Sequence, residues 1–103
     1  MPNISSGLVK SLLDDLRRGN ITAVISGSDD LLKIDPNSIV VLNIKGVALL
    51  DNKEYDLAER CFRKAIKKSP DVDYTFCNLG NLNFKKGDFD LAKQNYQETL
   101  QLN

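Results

Sequence analysis

At 103 residues the chain has the length of one domain. Its 14 Lys and Arg balance 14 Asp and Glu, so no overall field argues for nucleic acid or a membrane surface. It has no histidine, which removes the commonest metal ligand and the commonest general base.

The two cysteines, Cys61 and Cys77, form no C-x-x-C pair and read as small hydrophobes at helix packing positions. No apolar run approaches the ~20 residues that span a bilayer. The opening M-P-N-I-S-S-G-L-V-K lacks a basic region leading into a long apolar one. Arg63, Lys64, Lys67 and Lys68 read as a solvated helix face rather than a nucleic-acid patch. Composition thus predicts a cytoplasmic, non-enzymatic chain with no cofactor, no metal, no nucleic acid and no membrane partner.

In chain order, residues 5–18 carry Leu8, Val9, Leu12, Leu13 and Leu16 at helical spacing. Ser5 or Ser6 can cap this helix, and Gly19 suits a left-handed stop. A second helix is expected from about Ile21 to Lys33, weakened by Gly27 and two serines in its middle. Asp35-Pro36 ends it. Helices follow at about 38–51 and 55–68, joined by a turn in which Asn52 is the expected left-handed residue. Lys53 sits there where Gly19 and Gly87 sit elsewhere. Two further helices, about 72–85 and 89–102, are expected to be capped by Asp71 and Asp88.

Residues 39–70 meet themselves when shifted by 34: Gly46 falls on Gly80, Asp56 on Asp90, Leu57 on Leu91 and Ala58 on Ala92. Leu42/Phe76, Tyr55/Phe89, Phe62/Tyr96 and Ile66/Leu100 keep their character. Residues 5–38 form a divergent first copy, with Leu12 in the glycine slot and Val24 in the small-residue slot. An interior glycine costs about 1 kcal/mol relative to alanine, so Gly46 and Gly80 imply close helix contact, assigned here to Ala58 and Ala92.

A period of 34 with small and aromatic residues at fixed places resembles the tetratricopeptide repeat. The resemblance implies an all-α fold, a right-handed α-solenoid of three helix–turn–helix units with about six helices, and repeats at about 5–38, 39–72 and 73–103. It also implies a protein-binding scaffold whose first helices line a concave groove for a peptide or partner helix.

Counting from the glycine slot, that groove is offered Ser6, Val9, Leu13 and Leu16, then Val40, Asn43, Val47 and Leu50, then Tyr74, Cys77, Asn78, Asn81 and Phe84. The stretch Asn78 to Asn81, N-L-G-N, resembles the repeats attached to O-linked N-acetylglucosamine transferases, where an asparagine two residues before the glycine holds substrate backbone. Only Asn78 matches; the equivalents are Ile44 and Lys10. A substrate-recruiting arm of such an enzyme is the alternative reading. The basic clamp that some family members use for acidic chaperone tails is not expected, because the first helix of repeat three has no cation before Lys85 and that of repeat two has only Lys45.

The last helix is expected to expose a stripe drawn from Phe89, Ala92, Tyr96, Leu100 and Leu102. It marks either a piece of a longer array or a self-associating homo-oligomer.

Overall fold

A computed structural model describes residues 4–103. Six α-helices follow one another: α1 (Ser6–Arg17), α2 (Ile21–Ile34), α3 (Ile39–Asp51), α4 (Tyr55–Lys68), α5 (Asp73–Lys86) and α6 (Phe89–Leu102). Three of them start under a side-chain cap. Ser5 Oγ accepts from the Gly7 N–H at 3.2 Å, Ser38 Oγ from Val41 at 3.3 Å and Asp88 Oδ1 from Leu91 at 3.3 Å. Asp71 is not a cap: α5 begins one residue later than expected, after Val72, whose side chain has no acceptor to offer.

The turns within the three hairpins share one backbone path. Gly19, Lys53 and Gly87 have φ of 77°, 62° and 84°. The Lys53 N–H donates to the Leu50 carbonyl at 3.0 Å and the Glu54 N–H to the Leu49 carbonyl at 2.9 Å. Gly87 and Asp88 repeat the pair onto Phe84 and Asn83. These bonds satisfy the last carbonyls of the helix and force a left-handed residue at the turn. Asn52, with φ of −86°, is not that residue. Lys53 is, and a side chain there costs roughly 1–2 kcal/mol that glycine avoids.

Helix α3 packs against α1, α2, α4 and α5. Its sequence, I-V-V-L-N-I-K-G-V-A-L-L-D, is apolar on most sides because neighbouring helices cover most of it, leaving the side of Val40 and Val47 open. The backbones of the first helices of successive hairpins come close, α1 to α3 and α3 to α5, whereas those of α2, α4 and α6 do not approach one another. The stack therefore curves, with α1, α3 and α5 on its inner side.

Two apolar clusters hold it. One joins Leu12, Val24, Leu31, Val41, Ile44 and Ala48; the other joins Leu49, Leu50, Ala58, Phe62, Leu79 and Leu82. Cys61 lies half-buried at the edge of the second, and burial pushes its thiol pKa up.

The glycine slots are filled differently from the sequence expectation. A Cβ on Gly46 would overlap the ring of Phe62, and one on Gly80 the ring of Tyr96. The aromatic ring of the second helix, not the methyl of Ala58 or Ala92, lies flush on the glycine.

Repeat one inverts the arrangement. Leu12 stands where Gly46 stands, and Ser28 stands where Phe62 stands. The bulk has moved from the second helix to the first. Leu12 Cδ2 would lie 2.7 Å from a Cβ on Gly27, so Gly27 is the space Leu12 needs. Helix α2 runs unbroken from Ile21 to Ile34 despite its composition. Ser28 is the cost of the exchange: its hydroxyl is buried and unpartnered.

Candidate functional site

The inner side of the stack holds a groove of about 380 Å³ lined by Leu13, Leu16, Val40, Asn43, Ile44, Val47, Tyr74 and Asn78. The helical period explains the set. On α3, Val40, Asn43, Ile44 and Val47 lie at i, i+3, i+4 and i+7, one stripe facing inward. Leu13 and Leu16 of α1 form one wall; Tyr74 and Asn78 of α5 form the other. No charged residue is among the lining. Lys45, the one cation of α3, turns outward, and its Nζ lies 2.6 Å from Asp29 Oδ1 of α2. Val40, Leu13 and Tyr74 are exposed, the first two with no polar group to meet water.

Five of the nine expected groove residues of repeats two and three line this space: Val40, Asn43, Val47, Tyr74 and Asn78. Cys77, Asn81 and Phe84 do not. Cys77 is half-buried, while Asn81 and Phe84 are exposed. Asn81 Oδ1 accepts from the Tyr96 hydroxyl at 2.6 Å, and the Phe84 ring meets Phe89 edge-on at 5.3 Å. Both belong to the α5–α6 end of the stack. Ser6, Val9 and Leu50 also lie off the lining, the last buried in the core between α3 and its neighbours.

Asn43 plays a different part from the one its spacing suggested. It is buried, and its Nδ2 donates to the Ile39 carbonyl at 2.9 Å and to Thr75 Oγ1 at 2.9 Å. Its Oδ1 accepts from Asn78 Nδ2 at 2.8 Å. Both its amide protons are therefore spent inside the protein.

The network has one consistent orientation. The Ile39 carbonyl can only accept, so the Asn43 nitrogen must face it. The Asn43 oxygen then faces Asn78, whose nitrogen must turn toward it. That fixes the amide of Asn78 at the rim of the groove with its carbonyl oxygen still to be used. Asn43 and Thr75 hold Asn78; of the three, Asn78 has hydrogen-bonding capacity left to offer a ligand. Thr75 was not legible as a partner, because it fills the slot of Val41 and a β-branched residue there reads as core.

Asn78 stands alone in this role. The two equivalent positions are Ile44, which is apolar and lines the groove, and Lys10, which is exposed outside it. Tyr74 adds a ring beside Asn78, and burial followed by the nearby Asp73 carboxylate raises its phenol pKa. It is a neutral donor at any ordinary pH. Among the described residues no group of three or more His, Cys, Asp or Glu side chains is placed to hold a metal ion. No helix among the described residues is long and apolar enough to cross a membrane.

The two hairpins α3–α4 and α5–α6 match family models. Residues 40–72 and residues 74–103 each match the tetratricopeptide repeat, together more than half of the chain. The chain belongs to the tetratricopeptide repeat family.

Solved structures agree on the fold of this repeat protein. The second repeat domain of Spaghetti (RPAP3), solved with the HSP90 peptide SRMEEVD, superposes with a TM-score of 0.83 at 18% identity, over 94% of this chain and 90% of that one. PilF of Pseudomonas aeruginosa gives 0.85 at 24% identity, over 92% of this chain and 43% of that one. An O-GlcNAc transferase mutant of Thermobaculum terrenum gives 0.84 at 24% identity, over 99% of this chain and 20% of that one. The repeat chain thus spans less than half of the last two. No curated protein matches it in sequence.

Proposed function

We propose that this repeat chain is a non-catalytic protein-interaction module that binds a short apolar segment of a partner in the groove of α1, α3 and α5. One observation carries this reading. The groove is lined by five aliphatic side chains, a tyrosine and two asparagines without a charge, and Leu13, Val40 and Tyr74 among them stand exposed. Exposed, contiguous apolar surface in a concave site is costly unless something covers it. The volume, at the lower end of the roughly 300–1,000 Å³ of ligand pockets, suits two or three side chains rather than a whole helix. Asn78 supplies the polar contact that fixes register. The acidic peptide bound by the RPAP3 domain is a poor model for this ligand, because no cation lines the groove.

The test is selection from a random displayed peptide library on the wild-type chain, repeated on Val40→Asp. Enriched peptides should share two or more large apolar residues and bind Val40→Asp at least about tenfold more weakly, with unchanged helical circular dichroism. Enrichment of acidic peptides, or equal binding by Val40→Asp, would sink the proposal.

A further inference from the structure

Repeat three bares positions that repeat two keeps covered. Leu50 is 7% exposed; its counterpart 34 residues on, Phe84, is 57% exposed. Tyr55 and Ile66 are half-buried, but their counterparts Phe89 and Leu100 are 61% and 73% exposed. Phe62 is wholly buried, Tyr96 only partly. In repeat two the cover comes from Leu79 and Leu82 of α5, which share a cluster with Leu50, Tyr55, Phe62 and Ile66.

Among the described residues α6 packs on α5 alone. Phe89, Tyr96 and Leu100 lie at i, i+7 and i+11, a single stripe along α6, and Phe84 extends it by its ring contact with Phe89. Leu91 is no part of it, being exposed just as Leu57 is. Ala92 is buried and drops out of the expected stripe.

The other end of the stack does not fit this face. Helix α5 covers repeat two with Thr75, Leu79 and Leu82, all buried, and sets Lys86 Nζ 3.9 Å from Glu59 of α4. The corresponding residues of α1 are Gly7, Ser11, Asp14 and Arg18, and the α6 residue corresponding to Glu59 is Lys93. A second copy stacked head to tail would lay Ser11 and Asp14 on an apolar stripe and bring Arg18 to Lys93. Both contacts are unfavourable.

Two copies of the α6 face meet neither objection. Antiparallel α6 helices about a dyad set Phe89 opposite Leu100 of the second copy, and Lys93 opposite Tyr96 or Gln97 rather than another cation. Lysine over a tyrosine ring is itself attractive.

We propose that this chain forms a closed, isologous dimer through Phe84, Phe89, Tyr96 and Leu100. The four side chains expose roughly 400 Å² of apolar surface per copy, about half of the ~800 Å² each partner contributes to a standard interface. Lys93 lies within the stripe, where the Tyr96 ring of the second copy meets it, and Gln97 and Asn81 form the polar rim.

Sedimentation equilibrium of the full 103-residue chain, from low to high micromolar concentration, tests it. The mass should rise from 11.5 kDa and level off at twice that value. Leu100→Glu and, separately, Phe89→Glu should remain monomeric with unchanged circular dichroism and melting; both sites are exposed enough to accept a charge. Leu8→Glu, at the exposed α1 end, should dimerise as wild type does. A wild-type monomer throughout, growth beyond the dimer, indifference to Leu100→Glu and Phe89→Glu, or dissociation by Leu8→Glu would each overturn the proposal.

Discussion

Replacing Gly46 with alanine should destabilise the protein, the reverse of what helix propensity predicts. Alanine in a helix interior is worth about 1 kcal/mol over glycine. Against this, the new methyl would overlap the ring of Phe62, a wholly buried side chain. Overpacking of this kind costs about 1–3 kcal/mol, and the rigidity of the ring puts it at the upper end. The net loss should be about 1–2 kcal/mol, or a fall in Tm of about 5–15 °C for a chain of this size.

A double-mutant cycle isolates the cause. Phe62→Leu alone should cost roughly 1–3 kcal/mol through the cavity it leaves. In that background Gly46→Ala should become neutral or stabilising, because the ring it meets is gone. The coupling should be about 2 kcal/mol, read from urea denaturation at constant m-value. Additivity of the two changes within about 0.5 kcal/mol would refute the assignment of Phe62 to the glycine slot. Gly27→Ala serves as the comparison. It meets only the tip of the Leu12 side chain, which can swing aside, so it should cost less than Gly46→Ala.

Lys53→Gly should raise stability by about 0.5–1 kcal/mol, since φ at this residue is 62° and glycine removes the left-handed penalty at some entropic cost; a shift of the urea midpoint measures it. Ser28→Ala should stabilise by about 1 kcal/mol, because the hydroxyl it removes is buried without a partner; an unchanged or lower Tm would show that the hydroxyl is satisfied. Asn43→Ala should cost about 2 kcal/mol by leaving the Ile39 carbonyl, Thr75 and Asn78 without their shared partner. Asn78→Ala should cost much less stability and more peptide affinity, and calorimetric titration with a selected peptide separates the two effects.

Sequence alone settled the architecture of this chain, because its repeat unit is local. Several helix starts and stops are specified within a few residues: Ser5 and Asp88 cap, and Gly19 and Gly87 accept positive φ, whereas the Ser38 cap and the left-handed Lys53 escape that local reading and Asp71 does not cap. The 34-residue shift then tells which helices are equivalent. Periodicity also named Val40, Val47, Tyr74 and Asn78 as inward-facing, since one face of a helix is a matter of spacing.

Spacing could not say how deep each residue sits, or what touches it from another repeat. Asn43 and Asn78 look alike as helical asparagines. Only the approach of α3 to α5 buries one, bonds it to Thr75, and leaves the other at the groove rim. The glycine slot is a matter of volume shared across two helices, so the ring of Phe62 over Gly46, and the reversed pairing of Leu12 with Gly27 and Ser28, are visible only when both helices are in place. Tertiary packing likewise decided that Ala92 is core while Phe84, Phe89 and Leu100 are surface. In the linear pattern all four are apolar residues on a helix, and which of them meets water depends on the neighbouring helix that covers repeat two and has no counterpart over α6 among the described residues.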